Sequence, residues 1–332
     1  MKAIKIISVV LLTLVVIYLA GPRPAAPHYT NDLPAVPAAS AELEKYVARQ
    51  ESKRKLKPDN EARIIWADSA AKQKTDYAIV YLHGFSASQE EGDPVHENIA
   101  QKFGCNLYLA RLAEHGIDTT DQLLYLTAEK YWESAKEAFA IGQRLGDKVI
   151  LMGTSTGATN ALHLASNFPD AHALVLLSPN IEINNSTAFL ANNPWGLQLG
   201  RWMMGSKEFT PPDTTQLYQK YWNRPYRIEA IAALQEYLET TMTKTTFQKI
   251  KQPVLMLYYY KNEQAQDPVV KVSAMLDMFH LLGTSAEQKN AIAMPSTGDH
   301  VIASDIKSKD IVSVENAITT FMNTTLHIPA KK

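Results

Sequence analysis

Residues 153–157 read Gly-Thr-Ser-Thr-Gly, a G-x-S-x-G pentapeptide. The pentapeptide alone is common by chance, and its plainer reading is a Gly-Ser turn. Its context makes it specific. It follows the apolar run KVILM and leads directly into ATNALHLA, so strand, sharp turn and helix come in immediate succession. That is the setting of a nucleophile elbow, in which a strained turn exposes a serine hydroxyl. The start of the following helix adds backbone N–H groups that favour developing negative charge. Gly153 and Gly157 remove side chains that would collide with the neighbouring strand and helix. Ser155 is therefore the candidate nucleophile.

A serine hydroxyl is a weak nucleophile and needs a base. Of nine histidines, His300 is the candidate, in STGDHVIASD just after the last apolar strand. His163 lies in the helix behind Ser155 and cannot fold back to it. His83 sits in the loop HGFS, where its backbone matters more than its ring, and His115 reads as a turn-stabilising residue in RLAEHG. The base in turn needs an orienting acid. Asp267 is the first choice, because an elbow of this kind implies the chain order Ser, Asp, His. Asp267-Pro268 also reads as an N-cap followed by proline at the first helical position. Glu263 and then Glu182 are the alternatives. An oxyanion hole needs backbone N–H donors. The amide of Thr156 is one, and the amide of Phe85, after Gly84, is the second.

These groups must be held by a scaffold. Strand-like apolar runs (ARIIWA, YAIVYL, CNLYLARL, KVILM, ALVLLS, VLMLYYY, AIAMP) alternate with helix-like stretches. Several are continuously apolar, as a parallel strand covered on both faces must be. The class is α/β with a mostly parallel sheet flanked by helices. Residues 180–252 interrupt the alternation, are rich in Trp, Tyr and Thr, and read as a helical cap insertion. The core is then 41–179 plus 253–332. Within the insertion, Trp195, Trp202 and Trp222 are candidates for lining a pocket, against the reading that they pack the cap onto the sheet.

The first 21 residues carry Lys2 and Lys5 and then an uncharged apolar run, 6–20. This reads as a signal anchor, or as a signal peptide with a poor cleavage site. Either places the rest of the chain in the cell envelope, outside the cytoplasm, with the membrane as a partner through this segment. Residues 22–40 hold five prolines and read as an extended linker. Across all 332 residues, 33 Lys and Arg face 34 Asp and Glu, a net charge of −1. That balance removes the electrostatic case for a nucleic-acid partner. Hydrophobic residues make up 46%, too many for a disordered chain. The single cysteine, Cys105, excludes an intrachain disulfide and a cysteine-based zinc site. No cofactor or metal is implied, since neither H-E-x-x-H nor G-x-G-x-x-G after a strand occurs.

YLHGFSAS, NLYLARLAEHG, GTSTGA, DPVV and GDH together resemble the landmarks of the α/β-hydrolase superfamily, near the branch of monoacylglycerol lipases, carboxylesterases and serine aminopeptidases. The resemblance runs from about residue 62 to the C-terminus. It implies the α/β-hydrolase fold and a triad of Ser155, Asp267 and His300. Two departures stand out: Glu114 where these relatives usually carry glycine, and Asp299 before the base where a small residue is commoner. The expected function is a serine hydrolase acting on carboxylic esters, lipid-like or acylglycerol among them. The alternatives are a peptidase or amidase with the same triad, and a membrane-tethered binding protein on a silent fold.

Overall fold

Residues 2–331 are described by a computed structural model. Its strands, in chain order, begin with β1 (Arg63–Ile65), β2 (Thr75–Leu82), β3 (Asn106–Leu109), β4 (Gly146–Thr154) and β5 (Ala171–Leu177). They continue with β6 (Glu208–Phe209), β7 (Tyr226–Arg227), β8 (Val254–Tyr258), β9 (Tyr260–Asn262), β10 (Ala265–Gln266) and β11 (Lys289–Ala293). Seven of these form one sheet in the order β1-β3-β2-β4-β5-β8-β11. All neighbours in it run parallel except β1 on β3. The register sets Leu82 beside Gly153 and Thr154 beside Leu177, so three strand ends meet where the elbow begins.

Alternation within each apolar run divides the core into two layers, as the two-fold period of a strand requires. On one face Val80, Leu151, Leu176 and Met256 pack with α4 (Ala128–Leu145), α5 (Thr156–Asn167) and α8 (Glu229–Thr241). On the other, Ile79, Ile150, Val175 and Leu255 pack with α3 (Val95–Phe103) and α11 (Ile311–Thr324). Both faces are buried, which is why these strands read as unbroken apolar runs. Helix α10 (Val272–Leu281) joins the first layer through Met275 and Met278. Residues 180–252 hold α6 (Gly196–Met204), α7 (Gln216–Tyr221), α8, α9 (Lys244–Lys249) and the β6–β7 ribbon.

Residues 22–39 form no regular helix or strand, as five prolines demand, but they do not hang free. The Trp132 indole donates to the Thr30 carbonyl at 2.6 Å, and Lys136 Nζ donates to Thr30 and Asp32. Val36 is buried in the first core layer, and Leu33 packs against that layer. The stretch lines the first core layer just ahead of α2 (Ser40–Glu51).

The N-terminal helix α1 (Lys2–Leu19) exposes its side chains from Ile4 onward on all sides. Among the described residues, no helix is long and apolar enough to cross a membrane. Lysines take up the start of α1, and 14 uncharged helical residues rise only about 21 Å against roughly 30 Å of hydrocarbon. The described residues thus give the expected transmembrane helix no support.

Candidate active site

Ser155 occupies the turn between β4 and α5 with φ 53° and ψ −118°. This backbone conformation is disfavoured for any residue with a side chain and costs on the order of 1–3 kcal/mol. The neighbourhood imposes it. The Ser155 amide donates to the Leu177 carbonyl at 2.9 Å, while its own carbonyl accepts from Ala158, Thr159 and Asn180. A Cβ at Gly157 would lie 1.8 Å from the Leu82 carbonyl oxygen, and one at Gly153 would lie 2.5 Å from the Gly157 carbonyl carbon. Both glycines are thus required by close approach of backbones.

His300 follows β11 in a loop that brings it back over the sheet. Its Nδ1 is 2.6 Å from Asp267 Oδ2, and both side chains are buried. The second Asp267 oxygen accepts from the amides of Val269 at 2.8 Å and Val270 at 3.0 Å. These bonds resemble a helix cap, but the helix itself starts later, at Val272. The N-cap reading of Asp267-Pro268 is corrected accordingly: the aspartate closes a tight turn that locks its own carboxylate. Of the alternative acids, Glu263 is bonded to the Tyr260 hydroxyl at 2.8 Å, and Glu182 pairs with Lys271 on the surface. Neither is bonded to His300.

Burial pushes the His300 imidazole towards a lower pKa, but the Asp267 charge and hydrogen bond, then Glu91 and Asp299, outweigh it and hold it above its ordinary value. With Nδ1 engaged by Asp267, Nε2 is the nitrogen left for a substrate or nucleophile proton.

The loop after β2 is set by two buried histidines. His83 Nδ1 meets the Gly84 carbonyl at 2.9 Å, and its Nε2 accepts the Leu112 amide at 3.0 Å. His115 Nδ1 meets the Ala113 carbonyl, and its Nε2 accepts the Ser86 amide at 3.0 Å. Burial lowers both, His83 to about 4, so each ring is neutral and can accept. The Gly84 amide is also occupied, by Glu91 Oε2. Between them, the Phe85 amide has no acceptor among the described residues, and neither has that of Thr156. These are the two donors expected from the sequence.

Ser155, His300 and Phe85 line one cavity of about 750 Å³. Apolar groups from 180–252 complete its wall, among them Leu197, Met203, Phe209 and Tyr226. Of the three tryptophans, Trp222 lines it, buried and stacked on Tyr218 at 5.0 Å. Trp202 is 79% exposed and Trp195 41%, and neither lines it. Trp195 instead bonds the Ile17 carbonyl at 2.9 Å. Among the described residues, Lys307 is the one lysine or arginine in the wall, and it is paired with Asp213. Sequence reasoning missed Glu91, a buried carboxylate in the wall. Nothing in QEEG marks one glutamate above the other. Among the described residues, one group has metal-ligand spacing, Asp93, His96 and Glu97 with ligand atoms within 4.8 Å of one another, but none of the three lines the cavity.

No family model matches the chain, and no curated protein sequence matches it significantly. Solved structures do. One, from a study of the metagenome-derived lipolytic enzymes LipS and LipT, has a TM-score of 0.63 at 16% identity, over 81% of this chain and 99% of that one. Est1E from Butyrivibrio proteoclasticus, with ferulic acid bound, has 0.54 at 16%, over 80% and 95%. A lipase-esterase related protein from Clostridium acetobutylicum has 0.53 at 15%, over 78% and 99%. Identities this low speak to architecture alone, and the match over about four fifths of the chain, with its mostly parallel sheet flanked by helices, shows the α/β-hydrolase fold.

Proposed function

We propose that this protein is a serine hydrolase that cleaves carboxylic esters with apolar acyl or alcohol groups, through an acyl-enzyme. The observation that carries the reading is the buried Asp267–His300 pair opening onto the same cavity as a serine held in a strained elbow. In this reading Ser155 attacks the ester carbonyl and His300 Nε2 takes its proton. Asp267 holds the imidazole tautomer, and the Phe85 and Thr156 amides receive the oxyanion. His300 then protonates the leaving alcohol, and water repeats the sequence on the acyl-enzyme. The apolar wall and the absence of an unpaired cation among its described residues suit a neutral substrate. The similarity to lipolytic enzymes and a lipase-esterase related protein supports an ester over other acyl compounds.

A panel of p-nitrophenyl esters of increasing acyl length, run beside aminoacyl amides, tests this. Ester turnover that peaks at a medium or long chain is expected. Turnover of the amides alone selects the peptidase reading and rejects this one.

The N-terminal helix carries lysines followed by an apolar stretch exposed on all sides, which suits the hydrophobic region of an export signal. We take the catalytic region to act outside the cytoplasm. N-terminal sequencing of the native protein checks it: a mature chain starting near Gly21 is expected, and a cytoplasmic protein retaining Met1 contradicts it.

A further inference from the structure

Glu91 is 2% exposed, yet it lines the cavity that holds Ser155 and His300. It stands on a single turn of 3-10 helix, Gln89–Gly92, and reaches back seven residues. Its Oε2 accepts the Gly84 N–H at 2.5 Å. A Cβ built on Gly84 would lie 2.8 Å from both Glu91 oxygens and 3.0 Å from Ser155 Cβ, so carboxylate, loop and nucleophile are in close contact. The amide on the other side of Phe85, that of Ser86, is held by His115 at 3.0 Å. Clamps on both flanking amides determine the orientation of the Phe85 N–H between them, and that N–H has no acceptor among the described residues.

Burying a carboxylate is unfavourable unless something requires it. Burial raises Glu91 to about 7 against the opposing pull of the Gly84 N–H and of His300. An acceptor that reaches seven residues back into a tight loop to hold the Gly84 N–H is such a requirement.

We propose that Glu91 is a positioning residue for the oxyanion site, which by accepting the Gly84 N–H holds the loop so that the Phe85 amide faces the transition-state oxygen. The proposal rests on the serine-hydrolase reading above. Reach and charge make opposite predictions for two variants. Glu91→Gln keeps a carbonyl oxygen at the same reach and loses the charge. Glu91→Asp keeps the charge and is one methylene too short.

The full chain is assayed on the best p-nitrophenyl ester, with thermal midpoints measured alongside. Glu91→Gln is expected within about 10-fold of wild-type kcat. Glu91→Asp is expected to lose about 100-fold in kcat with KM within about 3-fold, as for loss of an interaction made in the transition state. Glu91→Ala behaves like Asp where it folds, and the Gln–Asp pair decides the matter where it does not. Asp equal to or better than Gln overturns the proposal. A wild type that neither hydrolyses esters nor reacts with a fluorophosphonate at Ser155 counts instead against the hydrolase reading itself, so the two failures are distinguishable.

Discussion

His300 Nδ1 lies 2.6 Å from Asp267 Oδ2, with the histidine side chain 7% exposed and the aspartate fully buried. Two backbone amides, of Val269 and Val270, grip the other carboxylate oxygen, so the aspartate cannot turn away. An acceptor fixed this way sets which imidazole nitrogen carries the proton and lowers the cost of forming imidazolium. Asp267→Asn presents an amide in the same place and allows the wrong tautomer. It is expected to lower kcat on esters by about 10³–10⁴-fold with little change in thermal midpoint. A loss below 10-fold counts against the pairing as a working part of the site.

The charges around His300 bear on its pH dependence. A general base works only when neutral, so activity is lost as pH falls through its pKa. Burial lowers that pKa, but Asp267, Glu91 and Asp299 hold it above the ordinary histidine value. The acidic limb of kcat/KM is therefore expected above about 6.5. Asp299 is half-buried in the cavity wall, and its Oδ1 accepts the Val301 amide at 2.9 Å, a bond asparagine can keep. Asp299→Asn thus removes a negative neighbour and leaves the turn. Its acidic limb is expected to move to lower pH, and an unchanged limb contradicts the electrostatic account.

Glu114 stands where the resemblance to the hydrolase superfamily leads one to expect glycine, and its backbone suits a glycine: φ there is +64°. The left-handed conformation costs a non-glycine residue about 1–2 kcal/mol. Against this, Glu114 pairs with Lys130 Nζ at 2.8 Å, worth up to about 1 kcal/mol at a partly exposed site. Glycine also brings a freer unfolded chain, about 0.5–1 kcal/mol. Glu114→Gly is therefore expected within about 1 kcal/mol of wild type in urea unfolding. Glu114→Val keeps the strain, worsened by β-branching, without the ion pair, and is expected to lose about 2 kcal/mol or more. Equal stability of the two variants contradicts the assignment.

The tryptophans of 180–252 divide by position. Trp222 is in the cavity wall, and Trp202 is on the surface. Trp222→Ala is expected to raise KM for long-chain esters about 10-fold or more and to shift the preferred acyl length. Trp202→Ala is expected to leave both within about 2-fold. A larger effect at Trp202 than at Trp222 contradicts the cavity as the acyl site.

The parts legible in the sequence are those whose chemistry is local or ordered. The elbow shows because strand, glycine, serine, glycine and helix must be contiguous for the turn to form. His300 and Asp267 show through chain order after successive strands. The Phe85 amide is singled out because, in the proposed mechanism, the loop after β2 supplies a second donor. Glu91 does not show, since its role comes from a side chain folding back on Gly84, a tertiary contact with no periodic signature. Aromatic content offered 180–252 either as a lining or as packing of the cap, and composition does not say which residues of α6 border the cavity: Met203 does, at 62% exposure, and Trp202 does not. Residues 22–39 form neither helix nor strand. Their prolines do not exclude packing, and Tyr29 meets the His163 ring edge-on at 5.1 Å.

The central claim is that Ser155 is a nucleophile activated by His300. The direct measurement is intact-mass and peptide-level analysis after exposure to a fluorophosphonate, on wild type and Ser155→Ala. The account predicts one adduct per chain, located on Ser155, with loss of ester hydrolysis in step with labelling. It predicts no adduct and no hydrolysis for a folded Ser155→Ala. Labelling elsewhere, or hydrolysis retained in Ser155→Ala, would contradict it.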